Sequence, residues 1–269
     1  MSNKIKNIAI IGAGTMGQRI ALKAISCNYN VRLYDINYEA LMKFTNSQKN
    51  QEIKACNSIT EAVLDSDLII EAVPEKLELK LKIFKEVDKN APPHAIITTN
   101  SSSIPVSKLE GVVKRKDKVL NIHFYIGTSE YGLTEMADIM RGTMTSVEVF
   151  EIGKSWIESI GFRPLIVLKE SFGFVFNRIW RAIKKECLKV WAGGYADIED
   201  IDAAWKIALG KAEGPFMIMD RIGLDVVYDI EMSYFKNSGK ADDKPPQALK
   251  EMVDKGFLGL KTKIGFYEH

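Results

Sequence analysis

One segment, Asn7 to Asp35, restricts what this chain can fold into more than any other. It reads N-I-A-I-I-G-A-G-T-M-G-Q-R-I-A-L-K-A-I-S-C-N-Y-N-V-R-L-Y-D. Ile8, Ala9, Ile10 and Ile11 form a continuous apolar run, the pattern of a parallel strand covered on both faces. Gly12, Gly14 and Gly17 follow at the spacing G-x-G-x-x-G. There the first glycine permits a tight turn, the second lets backbone approach a pyrophosphate, and the third lets helix pack on strand. Met16, Ile20, Ala21 and Ala24 recur at helical spacing, so a helix begins inside the loop. Its N-terminus offers unpaired N–H groups and a positive dipole end to a diphosphate. A second strand over 31–34 ends on Asp35. An acid at that point accepts hydrogen bonds from an adenosine ribose and repels a 2′-phosphate, and Ile36 and Asn37 offer no cation in compensation. An ordinary turn also uses glycine, so the motif alone says little. Strand, glycines, helix, second strand and acid in this order supply the context it requires. The segment predicts a dinucleotide site built from Gly12, Ala13, Gly14, Thr15, Met16, Gly17 and Asp35, holding NAD rather than NADP.

Further strand patterns at 67–73, 95–99, 119–124, 134–139 and 162–167 alternate with helical patterns at 38–48, 59–64, 76–89 and 146–160. This alternation predicts an α/β fold with a Rossmann-type doubly wound, largely parallel sheet. Beyond residue 171 only helical periods occur, at 174–191, 198–208, 215–222, 224–235 and 246–255, with Asp197 placed to cap the second of them. A smaller all-α C-terminal domain is therefore expected, with boundaries at 1–168 for the dinucleotide-binding part and 169–269 for the helical part. The helical part is rich in Phe, Trp and Met. Core packing accounts for such residues, and a subunit interface takes a surplus, so a homodimer through this domain is the expected assembly.

The chain has 37 basic and 35 acidic residues, a balance that argues against a nucleic-acid partner. Cys27, Cys56 and Cys187 are odd in number and lack ligand spacing. They suggest reduced thiols rather than disulfides or a metal site. No apolar signal region precedes the first strand and no apolar run reaches membrane-spanning length, so a cytoplasmic, membrane-free protein is expected.

NAD on an α/β sheet implies hydride transfer, and oxidising an alcohol also requires a proton acceptor. Of the three histidines, His94 follows two prolines and His269 is the last residue. Only His123 falls at the C-terminal end of an expected strand, where open α/β sheets place ligands. Glu135, twelve residues on, interrupts an apolar stretch and is a candidate to hold the imidazole. Ser101, Ser102 and Ser103 end the preceding strand and could polarise a substrate oxygen, although helix capping before Pro105 would suit Ser103. Asn177 lies inside the apolar run G-F-V-F-N-R, either as a site residue or as a polar cap at the domain junction.

Taken together these residues resemble the 3-hydroxyacyl-CoA dehydrogenase family. The likeness runs from the glycine loop to the C-terminus through I-I-E-A-V-P-E-K-L-E-L-K (69–80), T-N-S-S-S (99–103), H-F (123–124), E-S-F-G-F-V-F-N-R (170–178), G-P-F-M-I-M-D-R-I-G-L-D (214–225) and G-F-L-G-L-K-T-K-I-G-F-Y (256–267). The resemblance implies that His123 is the general base and Glu135 its orienting partner. It places Ser102 and Asn177 on the substrate oxygen and Glu75, Lys80 and Asn100 with the cofactor; a solvated helix start is the alternative for Glu75 and Lys80. Two departures stand out. The family's H-F-F-N-P is here His123-Phe124-Tyr125-Ile126-Gly127, without the asparagine. The stretch from Asp35 to Glu71 is also too short for the family's long helical hairpin over coenzyme A, though Lys43, Lys49 and Lys54 could meet phosphates. The expected activity is NAD-dependent oxidation of a 3-hydroxyacyl-CoA. The alternatives are a dehydrogenase of a small free hydroxy acid and an NAD-binding protein without turnover.

Overall fold

Strands that are apolar on both faces need helices on both, and the sheet is built accordingly. The structure is a computed structural model that describes residues 5–48, 53–127 and 129–269. Lys49, one of the candidate phosphate contacts, lies outside these. The chain divides into two units, Met1–Val175 and Phe176–His269.

The first unit carries one eight-stranded sheet in the order β3-β2-β1-β4-β5-β6-β7-β8. Its strands are β1 (Asn7–Ile11), β2 (Asn30–Tyr34), β3 (Ile53–Cys56), β4 (Leu68–Glu71), β5 (Ile96–Thr99), β6 (Val119–Ile126), β7 (Leu133–Arg141) and β8 (Arg163–Val167). Its helices are α1 (Thr15–Ser26), α2 (Tyr38–Ser47), α3 (Ile59–Val63), α4 (Leu77–Asn90) and α5 (Val147–Ser159). Strand alternation sorts the core into two layers. Ile8 and Ile10 pack with Ile20 and Ala24 of α1 and Trp156 and Ile157 of α5. Ala9 and Ile11 pack with Ile59 and Val63 of α3 and Phe84 and Val87 of α4.

Two features depart from the sequence expectation. β3 is a four-residue edge strand, too short and too polar at Lys54 to register as a pattern. β7 pairs antiparallel with β6, whereas β1 to β6 are mutually parallel and β8 follows β7 in parallel. The short link between β6 and β7 permits a hairpin, while a parallel pairing needs a crossover of a dozen or so residues. Between Asp35 and Glu71 the described elements are α2, β3 and the five-residue α3; no long helical hairpin occurs among them.

The second unit contains α6 (Phe176–Ala192), α7 (Ile198–Leu209), α8 (Pro215–Ile222), α9 (Leu224–Ser238) and α10 (Gln247–Asp254). Leu188, Phe216, Met219, Leu224, Val227, Leu249 and Phe266 form its core. Two buried carboxylates bind its backbone together. Asp202 accepts from the amides of Phe216 and Met217, and Asp220 from those of Phe266 and Tyr267. Asp197 precedes α7 as expected, but its side chain makes no capping hydrogen bond. Among the described residues no helix is long and apolar enough to cross a membrane.

Candidate active site

The glycine turn joins β1 to α1. Gly12 has φ +107°, and a Cβ there would lie 2.7 Å from Ala72 O. A Cβ on Gly17 would lie 1.8 Å from Gly12 O, so α1 can approach the turn only through glycine. Gly14 differs: a Cβ there would meet nothing within 4 Å. Its backbone faces open space at the start of α1, whose first turn has neither a side-chain cap nor an acidic residue. The N–H groups that begin a helix lack intrahelical partners, so this open end fits a diphosphate. Asp35 accepts hydrogen bonds from Ala13 N (2.7 Å) and Asn37 N (2.8 Å). Asp35 is thus pinned to the glycine turn, and the Ala13 N–H is taken up by that bond. Ile36 beside it is 93% exposed, so the ribose end carries no competing cation at that position.

The expected cofactor contacts at the β4–α4 turn form a closed network instead. Lys80 is buried, not part of a solvated helix start. Its ammonium reaches Glu71 Oε1 (2.7 Å), Val73 O (3.2 Å) and Glu75 Oε2 (3.2 Å). An ammonium has three donors, and all three are taken, so Lys80 braces the turn and has none left for a cofactor. Glu71 also accepts from Thr99 Oγ1 and Val73 N. Glu75 accepts from Ser101 Oγ (2.5 Å), Ser103 N (3.0 Å) and Ser103 Oγ (2.7 Å). Burial acts to raise the Glu75 carboxyl, but Lys80 and the two hydroxyls outweigh it and hold it below the usual carboxylate range. Ser103 is therefore not a helix cap before Pro105.

These bonds fix the loop after β5. Ser101 and Ser103 are committed to Glu75, while the half-buried Ser102 makes no side-chain hydrogen bond to a described residue. Asn100 Oδ1 accepts from Phe124 N (2.9 Å), and Asn121 Nδ2 donates to Ser101 O (2.9 Å), so the loop is tied to β6 at two points. In that role Asn100 is a structural tether. Thr99, the end of β5, is in register with Asn121. β6 continues past it, which carries His123 beyond the carboxyl edge of β5.

His123 is 6% exposed. Its Nδ1 lies 3.7 Å from Oδ2 of Asp138, which is fully buried and in direct register with it on β7. Edge-on contacts with Tyr125 and Phe174, at centroid distances of 4.5 and 5.5 Å, fix the ring. Tyr125 OH donates to the same Asp138 Oδ2. The separation is longer than a hydrogen bond, as is common for an acid–base pair without substrate. The carboxylate beside His123 is therefore Asp138 and not Glu135. Leu133, Ala137 and Ile139 all pack into the α1/α5 layer, and Glu135 shares their parity on β7. Glu135 itself is exposed and sits where the β6–β7 register shifts, and among the described residues the ion pair of His123 is with Asp138. The spacing of twelve residues misled because the link from β6 to β7 is longer than that count assumes. A usable signal was present in M-A-D-I-M: an acid within an otherwise apolar strand. Asn177 lies in the second unit, half-buried in the first turn of α6.

The model of the 3-hydroxyacyl-CoA dehydrogenase NAD-binding domain matches residues 45–171, and that of the family's C-terminal domain matches 173–269. The ornithine cyclodeaminase/mu-crystallin model matches residues 2–86, the stretch that carries the glycine turn. A 3-hydroxybutyryl-CoA dehydrogenase of Clostridioides difficile is 33% identical, over 97% of this chain and 99% of its own length. The structure of the (S)-3-hydroxybutyryl-CoA dehydrogenase of Ralstonia eutropha superposes with a TM-score of 0.84 at 30% identity, covering 99% of each chain. A diketoreductase, which acts on dicarbonyl compounds, superposes at 0.87 with 31% identity, covering 99% of this chain and all of its own. With the glycine turn and Asp35 as described, these matches make this protein an NAD-dependent oxidoreductase. It belongs to the 3-hydroxyacyl-CoA dehydrogenase family.

Proposed function

We propose that this protein oxidises the hydroxyl of a 3-hydroxyacyl-CoA to the ketone, reversibly, with His123 as general base. The observation that carries the reading is the buried His123–Asp138 pair, set beyond the end of β5 next to the loop that presents Ser102. NAD, when bound, supplies the hydride acceptor. With Nδ1–H directed at Asp138, Nε2 is the nitrogen that takes the hydroxyl proton, and the carboxylate stabilises the imidazolium that results. The Ser102 hydroxyl donates to the substrate oxygen as charge develops on it. The family resemblance adds Asn177 as a second residue for the same oxygen. The helical unit exposes Ile179, Tyr195, Ile207 and Leu209, a surplus that supports a homodimer through it. A stable monomer by light scattering at assay concentration would contradict that assembly. Burial pushes the Cys56 and Cys187 thiols up to about 11, and all three cysteines are free, which fits the reducing cytoplasm.

A small free hydroxy acid is the second reading, favoured by the short described elements between Asp35 and Glu71 and by the similarity to a diketoreductase. Formation of NADH from 3-hydroxybutyryl-CoA and from free 3-hydroxybutyrate separates the two. The thioester is expected to give the higher kcat/KM, with a KM that rises with salt as exposed lysine–phosphate contacts are screened. Equal values, or preference for the free acid, promote the second reading. Cofactor binding with no turnover on either indicates a protein that holds NAD without using it.

A further inference from the structure

Tyr125 stands two residues beyond His123 on β6, so both rings project from the same face of the strand. Its hydroxyl donates to Asp138 Oδ2, the oxygen that also lies 3.7 Å from His123 Nδ1. Asp138 Oδ1 has no hydrogen-bond partner among the described residues. One carboxylate oxygen therefore serves both the phenol and the imidazole, inside a site from which water is excluded: Tyr125 is 6% exposed and Asp138 0%.

We propose that Tyr125 is a positioning residue that sets the proton affinity of the His123–Asp138 pair; the proposal rests on the reading of His123 as the base. A buried carboxylate depends on its donors to remain ionised. When the pair has lost its proton it carries one net negative charge, and that is the state Tyr125 stabilises most. When the pair holds the proton, on either partner, the carboxylate needs the phenol less. The hydroxyl thus favours the proton-free pair, which is the form that can accept a proton from substrate. Because the two groups share a proton, the property that shifts belongs to the pair rather than to one residue.

The neighbouring elements bring little competing charge. On β8 the residue in register with Asp138 is Leu165, and the segment after β8 contributes Phe174. The short turn packed on β6 brings the buried Val106, and its Lys108 is exposed. From β5, Thr99 is bonded to Glu71, and from β7, Glu135 is exposed. On the segment after β8, Glu170 is occupied by Ser107 N (2.9 Å), and among the described residues Asp138 is the one carboxylate within 4 Å of a His123 ring nitrogen.

Tyr125→Phe removes the donor and keeps the ring. In the pH profile of kcat/KM for alcohol oxidation, the acid limb is expected to move to higher pH by about one unit, the size of one hydrogen bond to a charged group. Proton NMR titration of the histidine ring signals, with His123→Gln to assign the resonance among the three histidines, reads the same shift without turnover. An unmoved His123 titration in Tyr125→Phe overturns the proposal. A shifted titration in a protein that turns over no hydroxyacyl substrate supports Tyr125 and overturns the dehydrogenase reading.

Discussion

Inside the sheet, where β1 turns into α1, Gly17 is dictated by space: a Cβ would lie 1.8 Å from Gly12 O. Three strands along, where β6 pairs with β7, His123 is suited by its chemistry, and its partner is selected by which residue the antiparallel register sets opposite it. The first constraint is local and steric, and a few residues in a row suffice to state it. The second is relational and depends on how two strands align. A short motif therefore reveals the glycine turn, whereas the carboxylate beside His123 emerges only when the strands are paired.

The sharpest break of this comparison substitutes one residue in each region. His123→Gln should lower kcat by about 10²–10⁴, the usual worth of a general base, with NAD affinity near that of the parent. Gly17→Ala should lose NAD binding and turnover together, since the new methyl forces α1 off the turn, an overpacking that typically costs about 1–3 kcal/mol. Binding titration and steady-state rates on both variants check the contrast. Retained NAD affinity in Gly17→Ala, or an unchanged kcat in His123→Gln, would erase it.

A smaller effect distinguishes the two candidate carboxylates. Asp138→Asn removes the charge facing the imidazole. A hydrogen bond to a charged group is worth about 1.5–3 kcal/mol, so kcat should fall by roughly 10- to 100-fold. Glu135→Gln, on the exposed face, should leave kcat close to the parent's. Rates measured on the two variants in parallel decide the matter, and the opposite order would restore the twelve-residue spacing and reject the strand register.

The sequence announced the two-faced sheet because Ile8 to Ile11 and Leu68 to Ile70 are apolar without alternation. Their burial on both sides leaves no other outcome. It announced the glycine turn for the steric reasons above. It did not announce β3, whose four residues include an exposed lysine. Nor did it reveal that Lys80 would be enclosed by Glu71 and Glu75, since a lysine in a helix start reads as a solvated charge until its partners are known. Glu135 failed for a related reason. Parity along β7 could be counted from Leu133, Ala137 and Ile139, but the parity that matters is relative to His123, and the bulge between Phe124 and Ile126 breaks the count across the hairpin.

The change of direction at β7 also bears on the order in which the molecule takes shape. Residue 123 meets residue 138 across a hairpin, whereas β1 meets β4 by joining residue 8 to residue 68. Closing a chain segment costs about 0.6 kcal/mol more for each doubling of its length, so the β1–β4 closure costs roughly 1.2 kcal/mol more in chain entropy. Hairpins form within about 1–10 μs, while pairings between distant segments come later. The strand pair that carries His123 and Asp138 can therefore assemble on its own schedule, ahead of the crevice between β1 and β4. A ligand that binds only the closed form adds its binding free energy to that form. NAD therefore strengthens the slower half of the sheet, the half whose closure completes its own binding place.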